Sequence, residues 1–173
     1  MSRHLLIMRH AKSNWDTDAL TDFERPLSKR GNQNAPRMGT WMSTQGLKPG
    51  QVISSPATRA KQTASLVCKA LNIPKSEIIW DHRIYEASLN DLLTVLKEQP
   101  QNVNRILMVG HNPGMAELVS YLWGDDIQVP PDGNLMPTAT LAHLSMPEDW
   151  AALEYGCAHL NSLTRPKEIK AIE

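Results

Sequence analysis

Near the start of the chain an apolar run, His4-Leu5-Leu6-Ile7-Met8, stops on Arg9-His10. The run reads as a short buried strand. A strand that stops there places a cation and an imidazole at the edge of a sheet. Neither residue is cheap to bury. The edge therefore calls for an anion, and phosphate fits the requirement.

The rest of the chain alternates strand-like and helix-like patterns. A polar loop runs from Ser13 to Pro26. Ser28 opens a helical stretch through Met38, Trp41 and Met42 that ends near Gly46. Val52-Ile53 is a short strand. Ser55-Pro56 reads as a helix cap followed by proline, ahead of an apolar face on Ala60, Ala64, Leu66, Val67 and Leu71. Ile78-Ile79-Trp80 is a third strand, Asn90 to Gln99 a third helix, and Arg105 to Val109 a fourth strand. Asn112-Pro113 repeats the cap-plus-proline signal before Met115, Leu118, Val119 and Leu122. Trp123-Gly124 ends that helix. Thr138 to Leu144 and Trp150 to Cys157 alternate apolar and polar, as half-buried strands do. This alternation predicts a three-layer α/β/α domain with a mostly parallel sheet and antiparallel strands toward the C-terminus. At 173 residues the chain suits a single domain over 1–163, followed by a polar tail over 164–173 that is loosely held.

The predicted topology has a chemical consequence. Polar turns follow the first, second and fourth strands: Arg9-His10, Ser54 to Arg59, and Gly110 to Pro113. Parallel strands share a carboxyl edge where ligands bind. Arg9, His10, Arg59 and His111 then converge, with helix N-termini adding partial positive charge.

Composition narrows the partner. Lys plus Arg number 18 and Asp plus Glu number 18. That balance argues against a nucleic-acid or membrane-surface binder, though not against a local basic pocket. Lys29-Arg30 and Lys167 to Lys170 read as solvated charge. Cys68 and Cys157 are far apart and read as reduced, buried thiols of a cytoplasmic protein. No apolar run approaches a membrane span, and Arg9-His10-Ala11-Lys12 interrupts the only candidate leader core. His4, His82, His143 and His159 lack metal-ligand spacing. The cations beside His10 and His111 would repel a metal. The Asp125 to Pro131 stretch carries no readable signal.

Three segments now take on specific meaning: Arg9-His10-Ala11, Ser54-Ser55-Pro56 with Arg59-Ala60 and Gln62-Thr63, and Gly110-His111-Asn112-Pro113. Together they resemble the signatures of the histidine phosphatase superfamily, whose fold is phosphoglycerate mutase-like. Arg25-Pro26-Leu27-Ser28 with Gly31 resembles the family's segment ahead of its first helix. The matches run in family order over about two thirds of the chain. Short loops resemble the small SixA-like branch, whose members are phosphohistidine phosphatases. The resemblance implies His10 as nucleophile, Arg9 and Arg59 as phosphate clamps, and His111 as a stabiliser of the transferring oxygens, with Arg25 as an added phosphate ligand. It implies no metal and no other cofactor. Glu86 occupies the region where many members carry a general acid. An alkoxide leaving group needs that proton more than a leaving imidazole does. The expected substrate is a phosphohistidine protein. The alternatives are a small phosphomonoester, with Glu86 as acid, and a non-catalytic phosphate- or phosphoprotein-binding module.

Overall fold

The computed structural model describes residues 2–19 and 21–169. In chain order they form β1 (Arg3–Arg9), α1 (Lys29–Thr44), β2 (Gln51–Ser54), α2 (Thr58–Ala70), β3 (Ile78–Trp80), α3 (Leu89–Lys97), β4 (Arg105–Gly110), α4 (Gly114–Trp123), β5 (Leu141–Met146) and β6 (His159–Thr164). The six strands make one sheet in the order β3-β2-β4-β1-β5-β6. The first four strands are parallel, and β5 and β6 run antiparallel. This is the expected α/β architecture.

The central strands read as continuous apolar runs because they are covered on both faces. In β1, Leu5 and Ile7 join the core beneath α3 and α4, while Leu6 and Met8 join the core beneath α1 and α2. β4 divides the same way, Ile106 and Met108 against Leu107 and Val109. Two apolar layers therefore grip one sheet, and its parallel strands end at one rigid edge.

The last third of the chain departs from the simple alternation pattern. The β5 ladder begins at Leu141, three residues later than Thr138. Ala139 turns through φ +60° and donates its N–H to the carbonyls of Arg9 and His10, at 3.1 and 3.0 Å. Trp150 to Cys157 is not a strand. Asp149 accepts from Ala151 N at 2.8 Å and starts a 3₁₀ turn over Trp150–Ala152. Trp150 is a core plug whose Nε1 donates to the Val103 carbonyl at 2.7 Å. Gly156 turns the chain at φ +69° before β6 begins. Of the predicted tail, Thr164 closes β6, and Pro166 and Ile169 are buried. Residues 170–173 lie outside the described set, as does Leu20 in the 13–26 loop. Cys68 is buried, and its thiol is pushed up to about 11 by burial and then by Glu77. Cys157 is only half-buried.

Candidate active site

Strand register builds the site. Arg9 lies opposite Gly110 and Ser54 opposite Val109, so β1, β4 and β2 end level. One residue further, His10 N donates to the Gly110 carbonyl at 2.9 Å and Ser55 N to the Val109 carbonyl at 3.0 Å. His10 and His111 are thereby neighbours, with ring centroids 5.2 Å apart and planes tilted by 53°. The segments that carry them are 101 residues apart in sequence, and the parallel ladder brings them together.

His10 is 5% exposed, and its Nδ1 lies 2.7 Å from the Ala11 carbonyl. A carbonyl can only accept, so Nδ1 carries the hydrogen. Nε2 of the neutral ring then holds a free lone pair. Burial is the largest influence on this imidazole and pushes it down to about 3. Repulsion from His111, Arg59 and Arg9 acts in the same direction, while the Ala11 bond opposes it. His10 is therefore uncharged at pH 7, the form a nucleophile requires.

His111 is 8% exposed and is also pushed to about 3, first by burial and then by Arg59. Its Nε2 lies 2.7 Å from Ser55 Oγ. That hydroxyl already accepts from Ala57 N at 3.2 Å and has its own hydrogen to give. In that arrangement Nδ1 of His111 keeps a hydrogen, and Nδ1 is buried without a partner among the described residues. The geometry therefore favours a neutral N–H donor at His111.

The cations converge through a carboxylate that the motifs did not reveal. Asp22 Oδ2 accepts from Arg59 Nη2 at 2.9 Å, and its Oδ1 accepts from Arg25 Nη2 at 3.1 Å. The Tyr85 hydroxyl donates to the same carboxylate at 2.8 Å. Burial alone would raise the Asp22 carboxyl, but Tyr85, Arg25 and Arg59 together hold it at about 2. The Tyr85 hydroxyl is pushed up to about 12 by burial and by its bond to Asp22. Arg25 is 8% exposed, bonded to Ser13 Oγ and stacked 3.6 Å over the Trp15 ring. Arg9 reaches the Met136 carbonyl at 3.2 Å, and burial followed by Arg59 lowers its pKa. The structure thus gathers Arg9, His10, Arg25, Arg59 and His111 at one edge.

Buried Nε atoms of Arg9, Arg25 and Arg59 lack partners among the described residues, as does His111 Nδ1. Buried donors without partners are rare in folded proteins, and four at one sheet edge mark a place for an acceptor-rich anion. Among the described residues no group of three His, Cys, Asp or Glu side chains gathers for a metal.

The site is tied to its scaffold by small residues. Thr63 Oγ1 accepts from Ala11 N at 3.0 Å and donates to the Arg59 carbonyl at 2.8 Å, joining the first turn of α2 to the turn after β1. Ser28 caps α1, accepting from Gly31 N at 3.1 Å and donating to the Lys12 carbonyl at 3.0 Å. A Cβ on Gly31 would sit 2.1 Å from that carbonyl. The caps expected at Ser55 and Asn112 lie two residues and one residue early, since α2 starts at Thr58 after Ala57 and α4 at Gly114 after Pro113. Ser55 instead serves His111, and Asn112 donates to the Met136 carbonyl at 2.8 Å while accepting from Ala116 N.

Glu86 is exposed and holds φ +52°, a left-handed conformation uncommon outside glycine. It lines a cleft of about 370 Å³ with Asp22, Arg59, Tyr85, His111 and Asn112. Residues 125–131 do not line this cleft. His4 and His143 meet each other at 2.9 Å, away from it.

The sequence profile of the histidine phosphatase superfamily (branch 1) matches residues 5–94. An uncharacterised protein of Mycobacterium tuberculosis is 32% identical over 164 residues, covering 92% of this chain and all of that protein. An uncharacterised chloroplastic protein of Arabidopsis thaliana is 31% identical over 137 residues, and the match covers 75% of this chain and 63% of that longer one. The phosphohistidine phosphatase SixA of Escherichia coli is 28% identical over 151 residues, covering 83% of this chain and 86% of that protein. The structure of the protein histidine phosphatase SixA complexed with tungstate superposes with a TM-score of 0.80 at 25% identity, covering 96% of this chain and 99% of that one.

Proposed function

We propose that this chain, which belongs to the histidine phosphatase superfamily, hydrolyses phosphohistidine on a protein. The phosphoryl group passes through Nε2 of His10. The observation that carries this reading is the fixed His10 tautomer: Nδ1 bonded to the Ala11 carbonyl, Nε2 free, and the ring uncharged at neutral pH. In the first step Nε2 forms a bond to phosphorus as the bond to the substrate's imidazole breaks. In the second, water takes the phosphoryl group and releases inorganic phosphate. Arg9, Arg59 and Arg25 hold the equatorial oxygens. One guanidinium–phosphate contact near 4 Å contributes about 4 kcal/mol at an effective dielectric near 20. The His111 N–H steadies charge that develops on the transferring oxygens. The relatives named as phosphohistidine phosphatases support this substrate class.

Glu86 on the cleft wall favours a second reading, a phosphomonoesterase in which its carboxylic acid protonates an alkoxide. Rapid-quench labelling tests the nucleophile. The wild type is expected to retain acid-labile, base-stable ³²P from a phosphodonor, and His10→Ala to retain none. No label with any donor would remove the covalent step. Glu86→Gln then separates the substrates: activity on an aryl or alkyl phosphate should fall at least tenfold, with phosphohistidine turnover within about twofold.

A further inference from the structure

We propose that the exposed cations of α1, with Lys12 and Lys167, form a docking surface for an acidic stretch of the phosphoprotein substrate, beside the phosphate site. The inference rests on the reading that the substrate is a protein. A groove of about 290 Å³ is lined by Lys12, Arg30, Arg165 and Lys167, and one of about 550 Å³ adjoins it along Lys29, Arg30, Arg37 and Lys167. Acids near these grooves are already committed. Asp132 pairs with Arg165 at 2.9 Å, and Glu168 accepts from Arg165 N at 3.1 Å. Lys12, Lys29, Arg30, Arg37 and Lys167 are exposed and have no ion pair among the described residues.

The helix itself shows that these charges are not there for its own stability. α1 spans 16 residues with three cations and no acid. Lys29 and Arg30 stand in its first turn, where the helix dipole disfavours positive charge. A local rule broken without local compensation is the mark of a surface kept for something else.

The first groove is linked to the active site through the backbone on either side of it. Lys12 follows Ala11, whose carbonyl orients His10, and its own carbonyl receives the Ser28 cap of α1. The opposite wall includes Pro137 and Thr138, and the adjoining Ala139 is bonded to the Arg9 and His10 carbonyls. A partner seated here presents a neighbouring side chain to Nε2 of His10. The chain's zero net charge disfavours nucleic acid as occupant. A membrane surface is disfavoured too, because none of the exposed large apolar residues, Trp15, Ile79, Val129 and Tyr155, lines the grooves.

The test uses two phosphohistidine peptides with one core sequence, flanked by Asp and Glu in one and by Ser and Gln in the other. Wild type should cleave the acidic-flanked peptide with kcat/KM about tenfold higher at low salt, the size expected of three exposed ion pairs. The preference should vanish near ~0.5 M salt, where screening shortens to a few ångströms. Lys29→Gln/Arg30→Gln/Arg37→Gln should abolish it while cleavage of the neutral-flanked peptide stays within about twofold. No preference in wild type, or its survival in the triple variant, overturns the proposal. If neither peptide is cleaved, the reaction assigned above fails on its own. Docking is then decided by binding of the unphosphorylated, fluorescein-labelled acidic peptide to His10→Ala with and without the three substitutions. Binding lost on neutralisation supports the surface. No binding, or tighter binding to single-stranded DNA or phosphatidylserine vesicles, overturns it.

Discussion

Two uncharged imidazoles in one buried site make the fold sensitive to mild acid. His10 and His111 are both held at about 3, largely by burial, against about 6.5 in an unfolded chain. Between these values the unfolded state binds more protons, so stability rises with pH across that window and is lost as pH falls through it. Each histidine changes stability by about 1.4 kcal/mol per pH unit there. From pH 7 to pH 5 each contributes a loss of about 2 kcal/mol and the pair about 4, a large share of the ~5–15 kcal/mol that holds a typical domain. Asp22, held at about 2, titrates below this range with the opposite cause and does not mask it. His4 and His143 are also lowered by burial and add their own slope. They are present in both proteins of the comparison and cancel. The assay is urea unfolding at pH 7.0 and 5.0 in phosphate-free buffer, on wild type and on His10→Gln/His111→Gln. The double variant should lose about 4 kcal/mol less between the two pH values. An equal loss in both proteins would mean that neither histidine is held neutral by its surroundings.

Other consequences can be measured singly. Ser55→Ala removes the hydroxyl that sets the His111 tautomer; kcat should fall about tenfold with KM within twofold, short of the ~10²–10³ lost with a donor outright. Asp22→Asn removes the negative charge that Arg25 and Arg59 share, so inorganic phosphate should inhibit several-fold more tightly, and weaker inhibition would mean that Asp22 serves to orient the guanidiniums. Gly31→Ala puts a methyl group against the Lys12 carbonyl; the urea midpoint should drop by the equivalent of about 3 kcal/mol, at the upper end of overpacking costs.

What could be read from the sequence follows from the range of the forces involved. The four parallel strands and their helices are legible because burial on both faces writes an apolar run and burial on one writes a helical period. Arg9, His10, Arg59 and His111 are legible because parallel strands deliver their ends to one edge, which is a matter of topology. Asp22, Tyr85 and the Ser55 hydroxyl are not, because each acts through a side chain crossing between elements with no fixed spacing. Asp22 reaches Arg59 across 37 positions and Tyr85 across 63. The only local signal was Asp22 three residues before Arg25, a spacing common in turns. Trp150 to Cys157 misleads for a related reason. Its alternation records one buried Trp and a capped turn, and a short window cannot tell these from a pleat.

Asp22 also explains how the fold tolerates a cluster of buried cations. Arg25 and Arg59 are over nine-tenths buried, and like charges brought together in such a place oppose folding unless an anion joins them. The chain supplies one of its own, a carboxylate bonded to both guanidiniums and to Tyr85. Its side chain stays 48% exposed on the 13–26 loop. It is thus half-hydrated while its partners are not. In the proposed reaction a phosphoryl dianion would bring more charge and more acceptor oxygens to the same guanidiniums than this half-hydrated carboxylate does. Among the described residues Arg9 has no ion pair with Asp22 and reaches only the Met136 carbonyl, so it is the cation that the internal carboxylate does not satisfy. On this view Asp22 sets the strength of phosphate binding from both sides. It joins the two guanidiniums, and the phosphoryl group of the proposed reaction would compete with it for them.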